Sequence, residues 1–105
     1  FNPIFYPRTL AVIGASADPT KFGNIILSAI QEIGYGGKIY PVNPEGGEIN
    51  GLTVSKSLPE IPGPVDFAII TIPASALLKT LEECRDKGVK GVEILTSGFK
   101  ETGTA

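Results

Sequence analysis

The sequence predicts an α/β fold, a Rossmann-like doubly wound parallel sheet in a single small domain. Three observations predict it. Short apolar runs with no polar face alternate with stretches of helical period, as expected when strands are covered on both sides. Glycine (13) and proline (9) punctuate those runs. The length, 105 residues, suits one domain and leaves no room for two. Strand–helix–strand repetition then implies right-handed crossovers.

The elements follow in order. Leu10-Ala11-Val12-Ile13 is a continuous apolar strand that stops at Gly14. In the loop that follows, Asp18 is placed as a helix N-cap, with Pro19 at the first helical position. The helix is expected to bury Phe22, Ile26, Ala29, Ile30 and Ile33 and to end at Gly34. The second strand spans residues 38–42 and ends at Asn43-Pro44; Pro41 lacks a ladder donor and points to a sheet edge. Residues 45–64 are rich in Gly and Pro, with a short strand or helical turn placed near residues 53–58. The third strand, residues 66–72, is the clearest and should be central. A helix over residues 75–87 follows, its buried face read as Ala74, Leu77, Leu78, Leu81 and Cys84, its wet face as Glu82, Glu83, Arg85 and Asp86, and its end as Gly88. A fourth strand, residues 91–95, leads to Thr96-Ser97-Gly98-Phe99.

Composition excludes several functions. Hydrophobic residues make up 42% and charged residues 19%, which is globular rather than disordered. A net charge of −2 argues against nucleic-acid or anionic-membrane partners, which need clustered basic charge. No apolar run approaches the ~20 residues of a membrane span, and no signal-peptide pattern opens the chain. Histidine is absent and there is one cysteine. A His-based metal site, a Ser-His-Asp triad, a Cys-His pair and a phosphohistidine are therefore excluded within this chain, so no catalytic residue and no metal ligand is assigned. One cysteine gives no internal disulfide, and a cytoplasmic setting is expected.

Ligands on such sheets bind beyond the carboxyl ends of the strands. Residues 14–23, 42–44, 72–74 and 96–99 should converge there. A glycine-bearing loop opening a helix offers free N–H groups and the positive end of the dipole, which suits a phosphate or pyrophosphate. Ser16 adds a hydroxyl and Lys21 a cation, while Gly23 lets the chain pass close to a ligand or to the first strand. The dinucleotide fingerprint G-x-G-x-x-G is missing, and the second strand ends in Asn43 rather than in the acid that holds a ribose. Both features weigh against an NAD(H)-sensing module, which stays as an alternative. Cys84, Tyr35, Tyr40 and Thr71 read as packing residues, and Asp66 as a cap for local N–H groups. Ser97 has no histidine base to make it a nucleophile.

Ordered motifs span nearly the whole chain: Phe5-x-Pro7 and Leu10 through Ser16, then Gly34-Tyr35-x-Gly37-Lys38-Ile39-Tyr40-Pro41-Val42-Asn43-Pro44. Glu48-Ile49-x-Gly51-Leu52, Pro64-Val65-Asp66-x-Ala68-Ile69 and Ile72-Pro73-Ala74 follow. Glu83-Cys84-x-x-Lys87-Gly88-Val89-Lys90 and Ser97-Gly98-Phe99-x-Glu101-Thr102-Gly103 complete the series. Together they resemble the CoA-binding domain of NDP-forming acyl-CoA synthetases, which include ADP-forming acetyl-CoA synthetase and, more distantly, the succinyl-CoA synthetase α subunit. The resemblance implies coenzyme A or acyl-CoA as ligand. Gly14, Ala15, Ser16, Lys21, Phe22 and Gly23 would hold its diphosphate, and Val42, Asn43 and Pro44 its adenosine end. Ile72, Pro73, Ala74, Thr96, Ser97, Gly98 and Phe99 would border the pantetheine arm.

The resemblance also implies a parent acid–thiol ligase: acyl-CoA + NDP + phosphate ⇌ acid + CoA + NTP, through an acyl phosphate and a phosphohistidine in a later domain. This chain is expected to bind without turnover, as a domain excised from a longer protein, with the remaining synthetase domains or subunit as partners. The flank of the fourth strand offers a route to a homo-oligomer. A lysine acetyltransferase or regulatory parent is the other alternative. Relatives often carry a basic residue after Asn-Pro; here Glu45 stands there, so either affinity for coenzyme A is weaker or Lys21, Lys38 or Lys100 substitutes. Gly14→Val is expected to block the diphosphate with modest loss of fold.

Overall fold

The computed structural model describes residues 8–95. Its main sheet holds four strands: β1 (Thr9–Ile13), β2 (Lys38–Val42), β5 (Phe67–Ile70) and β6 (Gly91–Ile94). All pairs are parallel and the order is β2-β1-β5-β6. The chain leaves β1 toward one side, then returns to its other side, so the topological switch lies between β1 and β5. β2 is an edge strand, as Pro41 implied.

Side-chain alternation along β1 divides the core. Ala11 and Ile13 join Ala68, Ile70 and Cys84 on one face, with Leu77 and Leu81 of helix α2 (Leu77–Lys87) packed against them. Val12 and Ala15 join Leu27 of helix α1 (Phe22–Glu32) on the other. Two helices on opposite faces make the doubly wound arrangement. Asp66 caps as expected: one carboxylate oxygen accepts the amides of Arg8 (2.8 Å) and Thr9 (3.3 Å).

Several expectations are corrected. α1 begins at Phe22 with Lys21 as its N-cap, not at Pro19. The Asp18 carboxylate instead accepts from the amide (2.9 Å) and hydroxyl (2.8 Å) of Thr20, closing a separate turn. The inward face of α1 is Gly23, Asn24 and Leu27, with Ile30 half-buried, whereas Ile33 is 79% and Ile25 50% exposed and Ala29 is exposed. In α2 the buried positions are Thr80 and Cys84; Leu78 is 71% exposed and Ala74 lies outside the core, in a 3-10 turn (Ala74–Ala76). The third predicted strand is shortened to Phe67–Ile70.

Residues 45–64 hold more order than the sequence reading gave them. Strands β3 (Glu48–Ile49) and β4 (Leu52–Thr53) form an antiparallel hairpin. Its two-residue turn is Asn50-Gly51, both with positive φ (52° and 82°), the I′ geometry that matches strand twist. A 3-10 turn (Leu58–Glu60) then buries Leu58 on the α2 face.

Candidate functional site

The site is built where β1 and β2 end. The Val42 carbonyl accepts the amides of both Gly14 (3.0 Å) and Ala15 (3.2 Å). Asn43 then ties the two turns: its Nδ2 donates to the Ala15 carbonyl at 2.8 Å and its Oδ1 accepts the Glu45 amide at 2.8 Å. The backbone amide of Asn43 donates to the Ser55 carbonyl at 2.9 Å, which fixes residues 55–56 beside the end of β2.

A second asparagine holds the next peptide. Asn24 is only 7% exposed, and its Nδ2 donates to the Ser16 carbonyl at 2.8 Å. Asn50, at the hairpin tip, donates to Ser28 Oγ (3.0 Å) and to Gln31 Oε1 (3.1 Å), while Ser28 Oγ donates to Asn24 Oδ1 (3.2 Å). The hairpin thus braces α1, and α1 braces the turn. Asn24 and Asn50 escaped the sequence reading. The Asn-Gly pair at 50–51 was a hairpin signal open to use; a polar residue on the inward side of an apolar helix carried no comparable signal.

These ties decide which amides are free. In a trans peptide the C=O and the following N–H point in opposite directions. With the Ala15 and Ser16 carbonyls held by Asn43 and Asn24, the amides of Ser16 and Ala17 point away from those side chains. Among the described residues none accepts from them, nor from the first-turn amides of Phe22 and Gly23 at the positive end of α1. The amides of Gly14 and Ala15, expected to face a ligand, are instead spent on Val42.

Gly14 has φ +95°, and a Cβ there would lie 2.6 Å from Thr71 Oγ1 and 3.2 Å from the Thr71 backbone carbon. Thr71 is itself fixed, its amide (2.8 Å) and hydroxyl (2.9 Å) both donating to the Ile13 carbonyl. Gly14→Val therefore strains the fold as well as the loop, against the expectation of a modest structural cost.

An open cleft of about 290 Å³ lies in front of these turns. Ser16, Ala17, Asp18, Asn43, Glu45, Gly46, Glu48 and Ile49 line it. Three of these are carboxylates, which oppose an anion. The Thr20 amide, then the Thr20 hydroxyl, hold the Asp18 carboxyl below its ordinary pKa, with Lys21 adding a smaller push. Of the expected cations, Lys21 sits at the start of α1. Lys38 opens β2, about 13 Å from Val42 at ~3.3 Å per residue, so its backbone lies at the opposite end of the sheet and Lys38 is withdrawn as a substitute. Ile72 adjoins Gly14, with its Cγ2 3.0 Å from that missing Cβ, and exposed Pro73 and Ala74 continue outward. Pro44 is exposed beside Asn43. Thr96, Ser97, Gly98, Phe99 and Lys100 lie outside the described residues.

The sequence matches the family described as CoA binding domain over residues 8–103. The chain belongs to the CoA binding domain family. It is 52% identical over 99 residues to the alpha subunit of ADP-forming acetate–CoA ligase II of Pyrococcus furiosus, covering 94% of this chain and 21% of that protein. Against the alpha subunit of ligase I of the same organism it is 54% identical over 104 residues, covering 95% and 22%. The fold superposes on the dinucleotide-forming acetyl-coenzyme A synthetase 1 of Ca. Korarchaeum cryptofilum with a TM-score of 0.86 and 41% identity, over 95% of this chain and 22% of that one. The chain thus spans about a fifth of the length of these relatives. Among the described residues no helix is long and apolar enough to cross a membrane, and no group of side chains is arranged to hold a metal ion.

Proposed function

We propose that this domain binds coenzyme A at the carboxyl ends of β1 and β2, with the diphosphate on the amides of Ser16, Ala17, Phe22 and Gly23. The observation that carries the reading is the pair of asparagine clamps, Asn43 on Ala15 O and Asn24 on Ser16 O, which leave two consecutive amides turned outward beside a helix N-terminus. Hydrogen bonds to a charged acceptor contribute roughly 1.5–3 kcal/mol each, enough to offset the nearby carboxylates. Lys21 supplies the cation at that end. Val42, Asn43 and Pro44 border the adenosine, while Ile72, Pro73 and Ala74 border the pantetheine arm.

The similarity to ADP-forming acetate–CoA ligases supports a parent enzyme that exchanges a carboxylic acid and CoA with acyl-CoA at the cost of a nucleoside triphosphate. In that parent this domain presents CoA, and the other domains or subunit perform phosphoryl transfer. The absence of histidine fits such a division of labour.

Titration calorimetry of the 105-residue chain with CoA and NADH tests the binding. Saturable CoA binding without an NADH signal is expected. NADH binding without CoA binding would replace this reading with a nicotinamide-sensing module.

A further inference from the structure

The cleft wall on the β2 side carries Glu45 and Glu48, yet coenzyme A brings a third phosphate, a monoester on its ribose. Some cation must offset that charge, and the described basic residues can be sorted by position. Arg8 precedes β1 and Lys38 opens β2, both at the far end of the sheet. Lys90 pairs with Asp66 at that same end (3.8 Å), Arg85 pairs with Asp86 (3.3 Å), and Lys87 donates to the Ile61 carbonyl. Lys79 is on α2, across the sheet from the hairpin. Lys21 starts α1, at the diphosphate end. Lys56 remains.

The fold places Lys56 with care. Ser55 pairs with the end of β2: its amide donates to the Pro41 carbonyl (3.0 Å), and its carbonyl accepts the Asn43 amide (2.9 Å). The next side chain, Lys56, therefore emerges beside the 43–46 turn. There Gly46, at φ +69°, presents a bare α-carbon, and the Lys56 stem lies across it. A Cβ at Gly46 would be 3.3 Å from Lys56 Cγ and 3.2 Å from Cε. Gly46 lines the cleft, so the Lys56 stem, resting on Gly46, runs beside that cleft. Among the described residues Lys56 forms no ion pair.

We infer that Lys56 is a specificity-determining residue, its ammonium binding the ribose phosphate monoester of coenzyme A over Gly46 and so selecting CoA over dephospho-CoA. This rests on the coenzyme A reading above. An exposed lysine with no competing carboxylate within ion-pair distance is free to meet a phosphate as a point charge.

The test is calorimetry with CoA and with dephospho-CoA, on the natural chain and on Lys56→Gln. CoA should bind the natural chain about tenfold more tightly than dephospho-CoA, the scale of one charge-assisted hydrogen bond. Lys56→Gln should weaken CoA to the level of dephospho-CoA and leave dephospho-CoA unchanged. Lys38→Gln, at the far end of the sheet, should change neither. If both ligands bind the natural chain equally, or if Lys56→Gln keeps the preference or weakens both alike, the assignment of Lys56 is wrong while the coenzyme A reading stands. If neither ligand binds the natural chain, both fall together. Lys56 is exposed, and an unchanged thermal midpoint checks that the variant is folded.

Discussion

Gly23 lies so close against Gly14 that a Cβ at position 23 would stand 2.1 Å from the Gly14 carbonyl oxygen. The first turn of α1 is thereby seated directly on the turn that ends β1. This contact sets both the distance of the helix from the sheet and which helical face points inward, since Gly23, Leu27 and Ile30 share one side. Gly23→Ala is expected to push the helix off its seat and to cost about 2 kcal/mol or more, the scale of an overpacked core. Urea denaturation checks it, and an unshifted midpoint would mean the helix relaxes freely.

Asn24→Ala frees the Ser16 carbonyl and removes the acceptor of the Ser28 hydroxyl. A buried polar group left without a partner costs about 1–3 kcal/mol. Stability should drop by about that amount, and CoA affinity should fall further than it does for an equally destabilising variant on α2, such as Leu81→Ala. Parallel losses in the two variants would show that Asn24 acts on the fold alone.

Asn50→Ala removes the donor to Ser28 and Gln31 and places an ordinary residue at φ 52°. Non-glycine residues at such angles lose roughly 1–2 kcal/mol, and Asn loses less because it tolerates them. A loss of about 1–2 kcal/mol in thermal or denaturant unfolding is expected. Amide exchange in β3 and β4 should rise before that in β1.

Burial, with a smaller contribution from Glu83, raises the Cys84 thiol pKa above its ordinary value, and the residue is 3% exposed. At pH 8 the native thiol holds less thiolate than a free one, so iodoacetamide should alkylate folded protein far more slowly than urea-unfolded protein. Equal rates would show that α2 opens on the labelling timescale.

Asp18 governs a narrower pH effect. Its carboxyl is held below the ordinary value of 3.8 by the Thr20 amide and hydroxyl. A depressed folded pKa contributes stability above the unfolded pKa and loses it as pH falls through the folded one. Its contribution should therefore be constant above about pH 5 and vanish only below pH 4. Thr20→Val should move the Asp18 titration, followed by NMR, upward; no movement would assign the depression to the backbone amide alone.

The strands were legible because β1 and β5 are covered on both faces and so lack a polar side. The α2 stop was legible because Gly88 supplies a left-handed cap. The inward face of α1 was not. Phe22, Ile25, Ile26, Leu27, Ala29 and Ile30 cover most of its circumference, so period alone leaves several stripes equivalent, and the Gly23–Gly14 contact chooses among them. The hairpin was missed because β3 and β4 are two residues each, too short for alternation to show.

The sequence by itself determined the order of the four main-sheet strands and the two helices, and the parallel sheet; it also pointed to the carboxyl ends of β1, β2 and β5 as the candidate ligand site. Local pattern suffices for these, because each depends on apolar runs and on glycine and proline near them. Only the tertiary structure decided which amides are free, which asparagines orient them, and which lysine lies against Gly46. Those properties rest on hydrogen bonds and contacts between residues far apart in the chain, such as Asn43 with Ala15, 28 positions away. An amide's availability is fixed by what else has already claimed it.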